Sequence, residues 1–352
     1  MFRVFSYNYA AFFFITFLSL FLCIFPARTG PDNFLFSANP SPNATWQNFI
    51  SFIDAGKGTN FSGMSELKKY FHKFGYLEFD NFTDIFDENL ESAVLKYQKN
   101  LGLTVSGKLD PDTVNQIMSP RCGVSDETIR SKNQNIHVTK HYAYFSGEPR
   151  WGSSSRLTLT YAFSRNHMID YISVDDIQEA FKRSFSRWSS VIPVNFTETE
   201  DYPSSDIKIA FHKGNHGDGE PFDGVLGVLA HAFSPENGRL HLDEAETWAV
   251  DFKSTKSKTA VDLESVATHE IGHILGLAHS SVKDAIMYPS LSPRTKRVDL
   301  KIDDVEGIQA LYGSNPNFQY NSLMESDISS GWIITASFKW LTCLVLLVRL
   351  LL

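Results

Sequence analysis

Cysteine is scarce in this chain of 352 residues, which contains three: Cys23, Cys122 and Cys343. Cys23 and Cys343 lie in apolar segments near the two ends, which we expect processing to remove. Only Cys122 then remains, so the processed chain cannot form an intramolecular disulfide. A secreted chain with a single thiol needs a specific role for that thiol.

Basic residues are not in excess either, since 32 Lys and Arg stand against 40 Asp and Glu and give a formal net charge of −8. Nucleic-acid-binding proteins usually present a basic surface. We therefore expect no nucleic-acid partner. The length leaves room for about two domains plus processing segments.

The apolar segments at the two ends are short. Residues 10–25 are uncharged and follow Arg3, but they fall short of the ~20 residues of a membrane-spanning helix. The pattern indicates a secretory signal peptide at 1–27, with an uncleaved anchor as the alternative. Small residues around Ser329, a spacer and the apolar tail 331–352 resemble a glycosylphosphatidylinositol (GPI) signal with attachment at Ser329, and a short tail-anchoring helix is the alternative.

Glycosylation signals agree with this route. Four Asn-x-Ser/Thr triplets occur, at Asn43, Asn60, Asn81 and Asn195. We expect the protein to reach the cell surface on a lipid anchor, with secretion to the extracellular space as the alternative.

The apolar spacing divides the chain into a helical part and a mixed part. After a lead-in at 28–62 that we expect to be flexible, short helices are predicted at 65–74, 88–101 and 110–118. Strands are predicted next at 157–163, 194–197 and 207–211, and helices at 174–188, 261–275 and 302–312. Strands and helices mixed within one unit of this size indicate an α/β or α+β fold.

One stretch has the spacing of a metal site: His269-Glu-Ile-Gly-His-Ile-Leu-Gly-Leu-Ala-His279, or H-E-x-x-H-x-x-G-x-x-H. His269 and His273 are one helical turn apart and can bind one ion. Gly276 can end the helix, so that the chain turns back and His279 supplies a third ligand. Three protein ligands leave a position open, which is typical of catalytic zinc, and Glu270 lies beside it.

The motif resembles that of the metzincin metallopeptidases, and Met287 stands where their methionine turn belongs. The segment Pro120-Arg-Cys-Gly-Val-Ser-Asp126 closely matches the cysteine switch of the matrixins, the matrix metalloproteinases. The resemblance implies that Cys122 occupies the fourth zinc position in a latent form, and that Arg121 pairs with Asp126 to fix the loop.

The same resemblance implies an α+β fold, with a metzincin-type catalytic domain built on a twisted, mainly parallel sheet with three helices. A small three-helix bundle similar to a peptidoglycan-binding domain precedes it. We expect no C-terminal propeller of the kind that other matrixins often carry, and this absence, together with the expected lipid anchor, makes the chain look most similar to plant matrixins. The expected organisation is a signal peptide at 1–27, a propeptide at 28–140, a zinc metallopeptidase domain at 141–313, a linker at 314–330 and a hydrophobic tail at 331–352.

A second polar cluster matches matrixin metal sites. His216, Asp218, His231 and His241 correspond to the ligands of a structural zinc, and three His with one Asp form a closed set of four. The oxygen ligands of a calcium site are matched by Asp223, the Gly224 carbonyl, Asp243 and Glu246. Asp206 matches one ligand of a second calcium, but the glycine-rich run that supplies the others is missing between His231 and His241.

The implied activity is endoproteolysis of extracellular proteins with zinc and calcium as cofactors. Zinc polarises the scissile carbonyl and activates water, and Glu270 acts as general base. In matrixins the residue at the position of Ser265 limits the pocket after the scissile bond. Because serine is small, we expect a deep pocket for Leu, Met or longer apolar side chains, closed by the loop 288–297.

We expect a monomer whose propeptide is removed by self-cleavage or another protease between Asn133 and Tyr144, because no furin-type R-x-K/R-R run lies between Cys122 and Trp151. Two alternatives remain open. One is a non-catalytic protein that binds wall or matrix polysaccharide, for which Glu270 and Cys122 would have no use. The other is a metzincin of another family, which Ser280 after the third His and the motif around Cys122 disfavour.

Overall fold

The computed structural model describes residues 45–78, 80, 82–126, 141–152 and 157–319. Its helical part begins with a 3-10 helix, Thr45–Phe52. Three short helices follow: α1 (Met64–Lys73), α2 (Glu88–Asn100) and α3 (Pro111–Ile117). Side chains fix two of the helix starts: Asp87 accepts from the Leu90 amide, and Asp110 accepts from the Thr113 amide just before Pro111. The predicted three-helix bundle is therefore present.

The lead-in is ordered further upstream than we expected. Phe49 and Phe52 of the 3-10 helix are 3% exposed and belong to the core of the helical part. The expectation of a flexible segment as far as residue 62 is wrong from residue 45 onward. Aromatic burial here outweighs the surrounding Pro, Ser and Gly.

The mixed part contains two sheets. Its strands are β1 (Arg121–Cys122), β2 (Leu157–Phe163), β3 (Val194–Glu198), β4 (Ile207–His212), β5 (Val228–Ala232), β6 (Arg239–Asp243), β7 (Trp248–Ala249) and β8 (Val261–Asp262). The main sheet has the order β1-β5-β6-β4-β2-β3 and only the β5–β6 pair is antiparallel, while β7 and β8 pair separately. The expected α+β fold with a mainly parallel sheet is confirmed.

Three helices accompany this sheet: α4 (Val174–Val191), α5 (Leu263–Ile274) and α6 (Ile302–Tyr312). Every residue of α5 is buried, and α4 packs along it, with Trp188 Nε1 donating to the Thr268 carbonyl at 2.9 Å. A helix enclosed on all sides holds its side chains in fixed directions.

The start of α5 differs from the sequence expectation. The predicted helix began at Val261, but Val261 and Asp262 pair with β7, and the helix begins at Leu263. The Asp262 side chain accepts from the Ser265 amide at 2.8 Å and so acts as the N-cap.

The helical part and the mixed part meet at β1. The core of the helical part includes Phe222, Val228 and Tyr288 from the mixed part. Strand β1 joins the edge of the main sheet beside β5. The segment that contains Cys122 is thus held as a strand on the catalytic-type domain.

Several predicted features lie outside the described residues: the signal peptide, Asn43, Asn81, Ser329 and the C-terminal tail, together with the activation segment up to residue 140. Within the described part of the chain, no helix is both long and apolar enough to cross a membrane.

Candidate metal centres and active site

The three histidines of the H-E-x-x-H-x-x-G-x-x-H motif converge on one point. His273 Nε2 lies 3.1 Å from His269 Nε2 and 3.2 Å from His279 Nε2. Gly276 makes the turn after α5 with φ of +107°, and a Cβ atom there would lie 2.3 Å from the Pro149 carbonyl oxygen. Only glycine fits this turn, which brings His279 back to the helix.

The second ring nitrogens decide which atoms face that point. His269 Nδ1 lies 2.6 Å from the Ile286 carbonyl oxygen, and His273 Nδ1 lies 2.8 Å from that of Leu277. A carbonyl oxygen can only accept, so both Nδ1 atoms carry the proton, and His279 Nδ1 lies 2.6 Å from Asp126 Oδ1 in the same way. All three Nε2 atoms therefore present lone pairs to one another, which fits a shared cation.

Burial keeps these rings neutral. It lowers the pKa of His269 to about 3 and lowers the pKa values of His273 and His279 as well. A neutral imidazole is the form that binds a metal ion.

Cys122 completes this group. Its Sγ lies 3.4 Å from His273 Nε2, and the four ligand-type atoms of Cys122 and the three histidines lie within 4.8 Å of one another. Cysteine sulfur and histidine nitrogen are the ligand types that zinc binds, and four of them complete a tetrahedral site. The residues present therefore fit the metal that the sequence predicted.

Glu270 lies beside the same point. Both of its carboxylate oxygens are buried, and no N–H or O–H group of the described residues donates to them. Burial raises the pKa of Glu270 to about 8 and also raises the pKa of the neighbouring Cys122 thiol. A bound divalent cation would favour the ionised form of both groups.

Backbone hydrogen bonds fix the switch segment on both sides. The Arg121 and Gly123 amides donate to the carbonyls of Gly227 (3.0 Å) and Ala230 (2.8 Å) beside β5. On the other side, the Cys122 amide donates to the Pro289 carbonyl at 2.8 Å. Main-chain hydrogen bonds of the segment therefore fix the position of the Cys122 thiol.

The pair of Arg121 and Asp126 is formed as the resemblance implied. Arg121 Nη2 lies 2.6 Å from Asp126 Oδ1, and both side chains are buried. The guanidinium stacks on Phe74 at 3.6 Å, while the Tyr76 hydroxyl donates to Asp126 Oδ2 at 2.8 Å. Burial alone would raise the pKa of Asp126, but Arg121 and His279 hold this pKa below its ordinary value.

A second histidine group surrounds Asp218. Its Oδ2 lies 2.8 Å from His216 Nε2, 2.8 Å from His231 Nε2 and 2.9 Å from His241 Nδ1. His216 Nδ1 donates its proton to the Gly214 carbonyl. In the neutral ring His216 Nε2 is then an acceptor, and it faces the Asp218 carboxylate, which is also an acceptor. All four atoms lie within 4.8 Å of one another, an arrangement that a zinc ion would stabilise.

Of the acidic residues predicted to bind calcium, Asp243 and Glu246 are buried and Asp223 is half-buried near them. Burial raises the pKa of Asp243 to about 6 and that of Glu246 to about 8, and it raises the pKa of Asp223 too. Glu246 Oε2 has no hydrogen-bond partner among the described residues. The Gly224 amide donates to Asp243 Oδ2 at 3.1 Å, which places the Gly224 turn beside this cluster. Buried carboxylates of this kind fit a hard cation.

Asp206 has a different environment. Its Oδ2 accepts from both the amide and the hydroxyl of Thr160 at 2.7 Å, so this oxygen is engaged in joining β2 to the start of β4. A calcium ligand at Asp206 stays a prediction.

A pocket lies beside Glu270 and His269. Ser265 lies on its wall, as expected for the residue four positions before His269, and the loop 288–297 supplies other lining residues. The Ser265 hydroxyl donates to Asp262 Oδ1 at 2.6 Å and accepts from the Arg297 amide at 2.8 Å. Arg297, at the end of this loop, also lines the pocket.

Met287 packs closely on α5, the helix that carries His269 and His273. A Cβ atom at Gly272 would lie 2.3 Å from Met287 Sδ. Sequence reasoning missed Asp304, whose buried carboxylate accepts from the amides of Ile286 (2.9 Å) and Met287 (3.0 Å). The methionine turn is therefore held from α6. Of the predicted glycosylation sites, Asn60 and Asn195 are exposed.

Comparisons with known proteins agree with this geometry. The family model described as Matrixin matches residues 150–313, and a model for a peptidoglycan binding domain matches residues 62–117. The chain is 56% identical to Metalloendoproteinase 1-MMP of Arabidopsis thaliana over 82% of this chain and 79% of the relative. It is 54% identical to Metalloendoproteinase 4-MMP of the same plant (84% and 80%), and 48% identical to Metalloendoproteinase 1 of Glycine max (74% and 85%).

Proposed function

This chain belongs to the matrixin family and is a zinc metalloendopeptidase, and we propose that it is made as a latent zymogen that cleaves extracellular proteins once its propeptide has been removed. The observation that carries the proposal is the convergence of Cys122 with His269, His273 and His279. Three imidazoles suffice for a catalytic zinc, and the thiol fills the position that the reaction needs.

His269, His273 and His279 would hold the zinc ion, which would supply Lewis-acid polarisation of the scissile carbonyl and activation of water. Glu270 would accept a proton from the attacking water and pass it to the leaving amine. Its buried position raises the pKa of its carboxylate, which makes it a stronger base than an exposed one. The carbonyls of Ile286 and Leu277 keep His269 and His273 in the tautomer that binds zinc.

Cys122 keeps the zymogen inactive by occupying the reactive position. The buried pair of Arg121 and Asp126 holds the loop that carries it. We propose propeptide bounds of 28–140 and a catalytic domain at 141–313. Contacts of residues just after 140 support this boundary: the Ala278 amide donates to the Ala143 carbonyl at 2.8 Å, and the Tyr144 hydroxyl donates to that of Gly307 at 2.8 Å.

The remaining ions stabilise the domain in this proposal. His216, Asp218, His231 and His241 hold a structural zinc, while Asp223, Gly224, Asp243 and Glu246 hold calcium. Secretion, attachment through a lipid anchor at Ser329, glycosylation and a monomeric state are proposed from the sequence alone. Self-cleavage or another protease releases the propeptide.

The experiment uses a quenched fluorescent peptide with Leu after the scissile bond. We compare the full chain, the full chain treated with a mercurial that captures Cys122, and the treated Glu270→Ala variant. Activity that appears only after thiol capture, and that is lost with a chelator and in the variant, supports the proposal. Metal analysis should find two zinc ions per chain. Equal activity with and without thiol capture would contradict the latent zymogen.

A non-catalytic polysaccharide-binding protein is not supported, because Glu270 and the cysteine switch would then have no use. Membership of the matrixin family also excludes another metzincin family.

A further inference from the structure

Arg297 differs from the other basic residues of the loop that closes the pocket beside Glu270. Lys296 Nζ lies 3.0 Å from Glu264 Oε2. Arg294 donates to the carbonyls of Thr255 and Ser257 at 2.8 and 2.9 Å. The Arg297 guanidinium, by contrast, forms no ion pair within the part of the chain that the structure describes.

The contacts of Arg297 leave most of its donors unused. Nη1 donates to the Ser290 carbonyl at 3.2 Å, and the guanidinium carbon lies 5.8 Å from the centre of the Tyr288 ring. A guanidinium has five N–H donors, and this one is partly buried. Burial lowers the pKa of Arg297. A desolvated cation of this kind gains from an acceptor supplied by a ligand.

The loop holds this side chain in a fixed place. The Arg297 amide donates to Ser265 Oγ, and the ion pair of Lys296 with Glu264 ties the preceding residue to α5. The pocket wall is otherwise largely apolar and includes Leu229, Val266, Ile286 and Leu291. The pocket therefore combines an apolar passage with a single cationic side chain.

We propose that Arg297 is a specificity-determining residue, and that the pocket binds a substrate side chain with an apolar stem and a terminal oxygen, glutamate or glutamine, after the scissile bond. This rests on the proposed function and refines its substrate class. The Ser265 hydroxyl already has a donor and an acceptor, whereas the Arg297 guanidinium has unused N–H groups that can bind such an oxygen. Leu and Met enter the same pocket without using it.

The test measures kcat/KM of the thiol-captured enzyme for peptides that differ only in the residue after the scissile bond: Leu, Gln, Glu or Lys. In Arg297→Leu, the ratios of Gln to Leu and of Glu to Leu should fall about tenfold or more, because a charge-assisted hydrogen bond is lost. In Arg297→Glu, the ratio of Lys to Leu should rise. That gain cannot come from misfolding.

The matched control is Arg165→Leu. Arg165 pairs with Glu200 on the surface, where their side chains are 74% and 91% exposed, so its loss removes the same charge without reaching the pocket. Unchanged ratios in both Arg297 variants, with the Leu peptide still cleaved in a Glu270-dependent way, would overturn the inference and leave the proposed function intact. If the thiol-captured enzyme cleaved none of the peptides, both this inference and the proposed function would be overturned.

Discussion

Asp126 Oδ1 lies 2.6 Å from His279 Nδ1, so the switch segment bonds directly to a side chain of the zinc-type site. The same oxygen lies 2.6 Å from Arg121 Nη2. The carboxylate thus connects the loop that carries Cys122 with the third histidine. Removal of the propeptide would take away the partner of the His279 ring at the same moment as the thiol.

Replacement of Asp126 should weaken latency. In Asp126→Ala the buried Arg121 guanidinium loses its partner, which costs about 3–5 kcal/mol, and we expect peptide cleavage by the full chain without a mercurial. The control is Tyr76→Phe, which removes one hydrogen bond to Asp126 and should cost about 1 kcal/mol. If Asp126→Ala cleaved the peptide no faster than the unchanged zymogen without a mercurial, this role of the Arg121–Asp126 pair would be contradicted.

Glu270→Gln should reduce turnover without loss of metal. The amide cannot accept the proton from water, and a positioned general base contributes about 10²–10⁴-fold. We would measure kcat of the activated enzyme together with its zinc content. Glu306→Gln, an exposed position on α6, is the control and should leave kcat unchanged. Equal turnover in the two variants would remove Glu270 from the mechanism.

Gly272→Ala should destabilise the active-site helix. The added Cβ would meet Met287 Sδ at 2.3 Å and Trp188 Cζ2 at 3.0 Å, and overpacking of this kind costs about 1–3 kcal/mol. Gly56→Ala is the matched control, because its Cβ would meet only the Lys108 side chain, at 3.6 Å. Thermal unfolding of both variants tests the contact. If the melting temperature fell no more in Gly272→Ala than in Gly56→Ala, the Met287 side chain would be able to move away from the added methyl group at little cost.

Calcium removal should destabilise the protein more at high pH. Burial raises the pKa of Asp243 to about 6 and that of Glu246 to about 8, so the calcium-free folded state binds more protons than the unfolded chain between about pH 4 and pH 8. Its stability therefore falls as pH rises through that window, while calcium favours the ionised carboxylates. The increase in melting temperature on adding calcium should be larger at about pH 8 than at about pH 5.

Glu246→Gln tests the origin of that trend, with zinc present throughout. It should flatten the pH dependence and reduce the response to calcium, whereas Glu236→Gln, at an exposed position, should change neither. A melting temperature that does not respond to calcium at any pH would show that this acidic cluster is not a calcium site.

The sequence by itself determined the chemistry of the main site and most of the elements that carry it. The spacing of His269, Glu270 and His273 fixes their placement on one helix, and Gly276 permits the turn that returns His279. Local signals such as Asp110 before Pro111 also predicted a helix start correctly. These features depend on residues close together in the chain, so their periodicity and caps can be read directly.

Only the tertiary structure decided what surrounds those residues. Asp126 reaches His279 across 153 positions, Asp304 holds the methionine turn from another helix, and the Arg297 amide donates to Ser265 Oγ. The pairing of Val261 with β7, which delays the start of α5, is equally non-local. Packing between distant segments sets such contacts, and neither composition nor spacing records which side chain a fold will bring beside another.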